Sequence, residues 1–132
     1  MTPLRAHPAI SIPPVDYDRL LAMAEGTAKR HPNAASFLMQ ELDRASVKTP
    51  EAGRDIVRMQ SHVRFRDDAT GRVRDIQLVY PDQADPVTDR ISVLTPVGTA
   101  LIGLSKGQSM PWTDPNGKRK SVTVLSIQNA LP

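Results

Sequence analysis

One stretch constrains the fold more than any other: residues 90–107 read Arg-Ile-Ser-Val-Leu-Thr-Pro-Val-Gly-Thr-Ala-Leu-Ile-Gly-Leu-Ser-Lys-Gly. Ile91–Leu94 is too short for a helix and predicts the end of a strand. Thr95 supplies an oxygen that can cap a helix, and Pro96 has the fixed φ that suits the first helical position. Apolar residues then recur at helical spacing. The sequence therefore predicts a strand, a tight turn and a short helix that stops at Gly107.

Two helices are predicted nearer the N-terminus. Residues 15–30 place apolar side chains on one helical face, with acidic residues in the first turn and basic residues in the last, an order that suits the helix dipole. The run His31-Pro32-Asn33 breaks this helix, and Asn33 or Ser36 can cap a second one. Because the break is short, we expect an antiparallel hairpin about 20 Å long.

Alternating side chains predict a β-sheet in the second half of the chain. Apolar or small residues alternate with polar ones from Val57 to Phe65, which is the period of a half-buried strand. Residues 72–80 predict the returning strand. Residues 108–112 predict a short strand that Pro111 confines to a sheet edge, and residues 121–127 predict a closing strand.

These elements predict an α+β protein in which a short N-terminal antiparallel helical hairpin accompanies an antiparallel sheet with one short helix. Four prolines within residues 1–14 predict an extended, poorly ordered lead-in. The hairpin is assigned to residues 15–48, a linker to residues 49–54, and the sheet domain to residues 55–132.

The composition argues against several classes of function. With no cysteine, the chain has no disulfide framework, thiolate nucleophile or cysteine-based metal site. The three histidines are scattered over unrelated segments without ligand spacing, and no phosphate loop or nucleophile elbow is present. We therefore expect no enzymatic activity, no cofactor and no metal. No apolar run reaches the length of a membrane span, and we expect a cytoplasmic protein without a membrane partner.

The central stretch carries a family resemblance. Residues 91–104, Ile-Ser-Val-Leu-Thr-Pro-Val-Gly-Thr-Ala-Leu-Ile-Gly-Leu, followed by Gly107 and Trp112, resemble the C-terminal domain of the bacterial GreA/GreB transcript elongation and cleavage factors. The run Glu41-Leu42-Asp43-Arg44-Ala45 makes the N-terminal segment more similar to one branch, the regulators of nucleoside diphosphate kinase. The resemblance spans residues 15–127. It implies an FKBP-like sheet domain that carries a short coiled-coil-like hairpin.

The resemblance also implies a partner. In Gre-type factors the loop between strand and helix of the C-terminal domain docks on RNA polymerase at the entrance of its secondary channel. The matching residues here are Thr95, Pro96 and Val97, and we expect Gly98 to allow close approach.

The hairpin tip departs from the family pattern. Gre-type cleavage factors present acidic residues at the tip of a long coiled coil, where they hold a catalytic magnesium ion. Here the hairpin is shorter, and its tip has no carboxylate, since it consists of Arg30, His31, Pro32 and Asn33. The sequence therefore predicts a transcription regulator that binds RNA polymerase and competes with Gre-type factors without stimulating cleavage.

Five arginines supply the alternative prediction of a nucleic-acid-binding module. They are expected to collect on the solvent face of the first β-hairpin and are Arg58, Arg64, Arg66, Arg72 and Arg74. They form either a solvated face relieved by neighbouring aspartates or a contact for an acidic surface or for phosphates of DNA or RNA in the transcription complex. No aromatic residue interleaves with them to stack on bases. Prolyl isomerase activity is not expected, because an FKBP-like fold alone does not confer it. A proline-binding pocket needs an aromatic lining, and the chain has only two Phe, two Tyr and one Trp.

Overall fold

The computed structural model describes residues 7–49 and 55–129, and it confirms the predicted α+β class. The elements follow one another as β1 (Ser11–Ile12), α1 (Pro14–Thr27), α2 (Pro32–Arg44), β2 (Ser46–Val47), β3 (His62–Asp67), β4 (Val73–Val79), β5 (Arg90–Ser92), α3 (Pro96–Leu101), β6 (Ser109–Thr113) and β7 (Arg119–Gln128). Two single-turn 3-10 helices, Pro81–Gln83 and Pro86–Thr88, join β4 to β5. Within the described residues, no helix has the length and apolarity that a membrane crossing requires.

The five-stranded sheet has the order β5-β4-β3-β7-β6. Its pairs are antiparallel except for β4 and β5, which run parallel. One face is buried under α3 and the helical hairpin, and we call it the inner face; it includes Val63, Phe65, Ile76, Leu78, Met110 and Val124. The strand β6 lies at an edge, as Pro111 predicts.

The first predicted sheet strand begins later than the alternation indicates. Val57, Met59 and Ser61 are buried, as the pattern predicts, but β3 starts only at His62. The preceding segment pairs elsewhere, since the Val57 amide donates to the Leu104 carbonyl at 2.8 Å. Gln60 then adopts a left-handed φ of 74°. The predicted strand over residues 57–61 is therefore wrong, although the predicted burial is right.

Three helix boundaries also differ from prediction. The first helix ends at Thr27 and leaves the basic residues of its predicted last turn outside. The second begins at Pro32 without any side-chain cap, so the capping roles predicted for Asn33 and Ser36 are wrong; a proline at the first position starts the helix instead. The helix α3 stops at Leu101 rather than near Gly107.

The predicted lead-in is ordered where the structure describes it. Ile10 and Ile12 are buried in the core, and β1 pairs in parallel with β2. The Ser46 amide donates to the Ile10 carbonyl at 2.9 Å. The expectation of poor order is therefore wrong for residues 7–14, because burying two isoleucines compensates for ordering this short segment. Residues 1–6 lie outside the described part, as does the predicted linker apart from Thr49. The division of the chain into domains stays a prediction.

A buried ion pair fixes the hairpin to the rest of the molecule. Glu41 is 2% exposed, and one edge of the Arg44 guanidinium binds both of its carboxylate oxygens, Nη2 to Oε1 at 2.7 Å and Nε to Oε2 at 3.1 Å. Arg44 also donates to the Pro8 carbonyl, and its Nη2 lies 3.6 Å from the sulfur of Met110 in β6. Glu41 and Arg44 therefore attach α2 to the segment before β1 and to the edge of the sheet.

Candidate partner-binding site

The turn between β5 and α3 is fixed by its own hydrogen bonds. The Thr95 hydroxyl caps α3 by accepting from the Gly98 amide at 3.1 Å, and it donates to the Ser92 carbonyl at 2.7 Å. The Leu94 amide donates to the Ser92 hydroxyl at 3.0 Å. Deeper in the protein, the buried Thr99 hydroxyl donates to the Val93 carbonyl at 2.6 Å. These bonds make the turn a rigid element.

Gly98 supports this turn from inside rather than lining its surface. It is buried, and a Cβ at this position would lie 2.2 Å from the Ser92 carbonyl oxygen and 2.9 Å from the Val93 Cα. Glycine is thus required for α3 to pack against the end of β5. Gly98 does allow a close approach, but the approach is between α3 and the end of β5 and does not involve a partner protein.

The turn forms one wall of an open groove of about 560 Å³. Thr95 and Pro96 are exposed there, and Val97 is half-buried. The other lining residues come from the inner face beyond α3 and from the turn between β6 and β7; they are Phe65, Asp67, Arg72, Arg74, Ile91, Trp112, Asp114, Lys120, Ser121 and Val122. We refer to this space as the groove.

The five arginines do not share one face, so the predicted arginine face is wrong. Cross-strand partners lie on the same face of a sheet. Arg64 is opposite Asp75, whereas Arg74 is opposite the buried Phe65. Arg64 and Arg66 therefore lie on the outer face, and Arg72 and Arg74 lie in the groove. The prediction is wrong because Arg72 and Arg74 alternate in phase with Ile76 and Leu78, which are buried on the inner face.

Arg58 belongs to neither set. It lies in the irregular segment before β3, with its Nε 4.0 Å from the carboxylate of Asp16. That carboxylate also accepts from the Met59 amide at 3.3 Å. Arg58 therefore helps to hold the start of α1 against the sheet.

The outer arginines are paired with aspartates. Arg64 Nε lies 2.8 Å from Asp75, and Arg66 Nε lies 3.0 Å from Asp68. The hydrogen bond from Arg64 lowers the pKa of Asp75, and the same pair raises the pKa of Arg64. These pairs neutralise the charges of Arg64 and Arg66, as expected for a solvated face that neighbouring aspartates relieve.

Asp68 receives several hydrogen bonds besides the one from Arg66. The hydroxyls of Ser121 and Thr123 donate to it at 2.7 and 2.8 Å. Burial acts to raise the pKa of Asp68, but the hydrogen bonds from Ser121, Thr123 and Arg66 outweigh it and lower the pKa below its usual value. Asp68 is therefore held as a carboxylate that ties the β3–β4 turn to β7.

The hairpin tip lies at the Trp112 end of β6. Near the C-terminal end of α2, Arg44 contacts Met110, and further towards the tip the Phe37 ring lies 6.4 Å from the Trp112 ring. Pro32 stands five residues before Phe37, so the helix extends about 8 Å beyond this contact. The predicted tip residues Arg30, His31, Pro32 and Asn33 are all exposed there.

The sequence reasoning missed part of the groove lining. Trp112 and Lys120 are paired across β6 and β7, and both line the groove together with Asp67 and Asp114. The alternation of β6 and β7 around their turn could have placed Trp112 and Lys120 on the inner face. No sequence signal indicates that the turn at Thr95 reaches that face. In the described ranges, no three His, Asp or Glu side chains are grouped so that they could hold a metal ion.

The chain is similar to known proteins over nearly its whole length. Residues 44–129 match the family of the C-terminal region of the transcription elongation factors GreA and GreB, and residues 8–47 match the Rnk N-terminus. The regulator of nucleoside diphosphate kinase of Escherichia coli strain K12 is 37% identical over 124 residues, which cover 93% of this chain and 91% of that protein.

Similarity to GreA sequences covers part of their length, whereas a solved GreA/GreB structure is matched almost completely. The transcription elongation factor GreA of Syntrophobacter fumaroxidans is 41% identical over 69 residues, which are 52% of this chain and 44% of that protein. A solved GreA/GreB elongation factor from Nitrosomonas europaea superposes with a TM-score of 0.69 and 34% identity over 91% of this chain and 99% of that one. This similarity confirms the predicted fold.

Proposed function

We propose that this chain, which belongs to the GreA/GreB family of transcription factors and to its Rnk branch, regulates transcription by binding RNA polymerase near the secondary channel. The turn at Thr95, Pro96 and Val97 makes the contact. The bound protein competes with Gre-type factors for the same place and does not stimulate transcript cleavage. It acts in the cytoplasm and is not an enzyme.

The observation that carries the proposal is the exposed, rigid turn inside the segment that matches the GreA/GreB C-terminal region. Thr95 and Pro96 face solvent, while hydrogen bonds to Ser92 and Gly98 fix the backbone beneath them. A preorganised contact element loses little conformational entropy on binding. The turn therefore suits docking on a protein surface.

The absence of cleavage is proposed from the charges of the hairpin. No Asp or Glu occurs between Gly26 and Gln40, so the tip offers no carboxylate to a magnesium ion. The next acidic residue along α2 is Glu41, which is buried and bound by Arg44. Neither the tip nor the start of α2 can supply the oxygen ligands that cleavage chemistry requires.

Retention on immobilised core RNA polymerase tests the docking turn. We expect the wild-type protein to be retained and Pro96→Asp to weaken binding by about tenfold or more, because the change places a charge on the contact surface. Aspartate is accepted at the first position of a helix, so folding is preserved. Pro86→Asp is the matched control, since Pro86 is likewise an exposed proline at the first position of a short helix, and it is expected to bind like wild type.

Two results would oppose the proposal. Wild-type protein that is not retained would limit the family relationship to the fold. Equal retention of Pro96→Asp, Pro86→Asp and wild type would show that the contact lies elsewhere on the molecule.

A further inference from the structure

We propose that the groove binds a protein segment in which a carboxylate stands beside an apolar side chain, and that Arg72 and Arg74 select that carboxylate. The inference rests on the proposed function, in which the segment belongs to RNA polymerase. It adds the chemistry of the partner and the residues that recognise it.

The charges of the groove support an acidic ligand. Arg72 and Arg74 are exposed, and among the described residues neither lies within ion-pair distance of a carboxylate, in contrast to Arg64 and Arg66 on the outer face. The guanidinium carbon of Arg74 lies 6.0 Å from the centre of the Phe65 ring, a contact that positions the side chain. A guanidinium offers paired donors that match a carboxylate.

The apolar part of the groove supports a side chain beside that carboxylate. Pro96 and Val97 form one wall, and Ile91, Trp112 and Val122 complete the apolar lining. A volume of about 560 Å³ lies within the usual range of about 300–1,000 Å³ for ligand-binding clefts. The groove can therefore receive a few side chains next to the docking turn, so the segment and the turn form one contact surface.

The same lining disfavours a nucleic acid. Asp67 and Asp114 also line the groove, but each carboxylate is bound within its own turn, by the Ala69 amide at 3.0 Å and by the Lys118 amide at 2.9 Å. Phe65 is 1% exposed, and Trp112 is packed near Phe37 with an interplanar angle of 33°. Phe65 therefore offers no open face for stacking, and Trp112 alone does not make the row of aromatic rings on which successive bases of a single strand stack. The mixture of charges and apolar residues is that of a peptide-binding surface.

A charge-reversal pair tests the inference. The groove variant carries Arg72→Glu and Arg74→Glu, and the control carries Lys48→Glu and Lys106→Glu, which changes the net charge equally at exposed lysines outside the groove. Dissociation constants for nuclease-treated core RNA polymerase are measured at two salt concentrations. We expect the groove variant to bind at least about tenfold more weakly than wild type and the control to stay within about twofold.

The outcomes separate the two proposals. Wild-type protein that fails to bind the polymerase refutes the proposed function, and with it the partner assigned to the groove. Binding of wild type together with equal binding by the groove variant and the control refutes the groove inference alone. Urea unfolding of every variant shows whether weaker binding is caused by a loss of folding. A neutral variant, Arg72→Gln with Arg74→Gln, removes the two positive charges without introducing negative ones.

A crosslink identifies what occupies the groove. A photoreactive amino acid replaces Lys120, which lines the groove, and the protein is bound to an RNA polymerase elongation complex. Light then forms the crosslink, and the peptide or nucleic acid attached to position 120 is identified. We expect a polymerase peptide that contains Asp or Glu. That peptide is then synthesised, with a copy in which the acids are amides, and titrated against the intrinsic fluorescence of Trp112, the single tryptophan of the chain. A crosslink mainly to RNA or DNA, or equal binding of both peptides, would overturn the inference.

Discussion

Replacing Gly98 with alanine tests the packing that positions the docking turn. The added Cβ would lie 2.2 Å from the Ser92 carbonyl oxygen and 2.9 Å from the Val93 Cα. Favourable contacts between non-bonded carbon atoms need about 3.5–4.0 Å, so α3 or the end of β5 must shift by roughly 1 Å. Both neighbours are backbone atoms, and no side chain can rotate away. Overpacking of this kind costs about 1–3 kcal/mol, and we expect a loss of about 3 kcal/mol here.

The measurement is urea unfolding followed by circular dichroism at neutral pH, with Gly26→Ala as the matched control. Gly26 lies in α1, and a Cβ there would meet nothing within 4 Å. Alanine is favoured over glycine in a helix by about 1 kcal/mol, so this control is expected to match or exceed wild type. A Gly98→Ala protein whose unfolding free energy lies within about 0.5 kcal/mol of wild type would refute the packing argument.

Three further changes test other parts of the structure. Glu41→Gln is expected to lower the unfolding free energy by about 3 kcal/mol, because it leaves the charge of Arg44 without its buried partner; urea unfolding measures this, and a loss below about 1 kcal/mol would contradict the role of the pair. The carboxylate of Asp68 has a lowered pKa, so its stabilisation is present above about pH 4 and is lost as the pH falls through the folded pKa. Asp68→Asn is therefore expected to lower the urea midpoint at pH 7 and to flatten its decline between about pH 5 and pH 3, and an unchanged pH profile would oppose this. Thr95→Ala is expected to cost about 1 kcal/mol through loss of the α3 cap, with Thr95→Ser restoring most of it; equal stability of the two variants would contradict the capping role.

The regular parts of the fold were predictable because each has a strong local signal. Thr95 and Pro96 mark the start of α3 through capping and fixed φ, and the structure places them there. The inward residues Val57 to Phe65 follow from their alternation, and Pro111 places β6 at an edge. Each of these signals acts within a few residues, so no tertiary information is needed to read it.

The remaining features depend on contacts between distant residues. Ile10 and Ile12 stand in a proline-rich segment whose order depends on pairing with β2, more than thirty residues away. Alternation with the buried Ile76 and Leu78 is enough to place Arg72 and Arg74 on the inner face, but the groove that they line beside Pro96 and Val97 depends on where α3 packs. The turn at Thr95 and the side chain of Trp112 line one groove only because α3 packs across the inner face. Such placements follow from packing and not from local pattern.

Competition on a stalled transcription elongation complex tests the central claim most directly. Core RNA polymerase with backtracked RNA is incubated with a GreA-type factor and increasing amounts of wild-type protein or Pro96→Asp, and both the bound GreA-type factor and the cleaved RNA are measured. We expect the wild-type protein to displace the GreA-type factor and lower cleavage, to produce no cleavage by itself, and to lose both effects in Pro96→Asp. RNA cleavage by the wild-type protein alone, or no displacement at saturating concentration, would contradict this account.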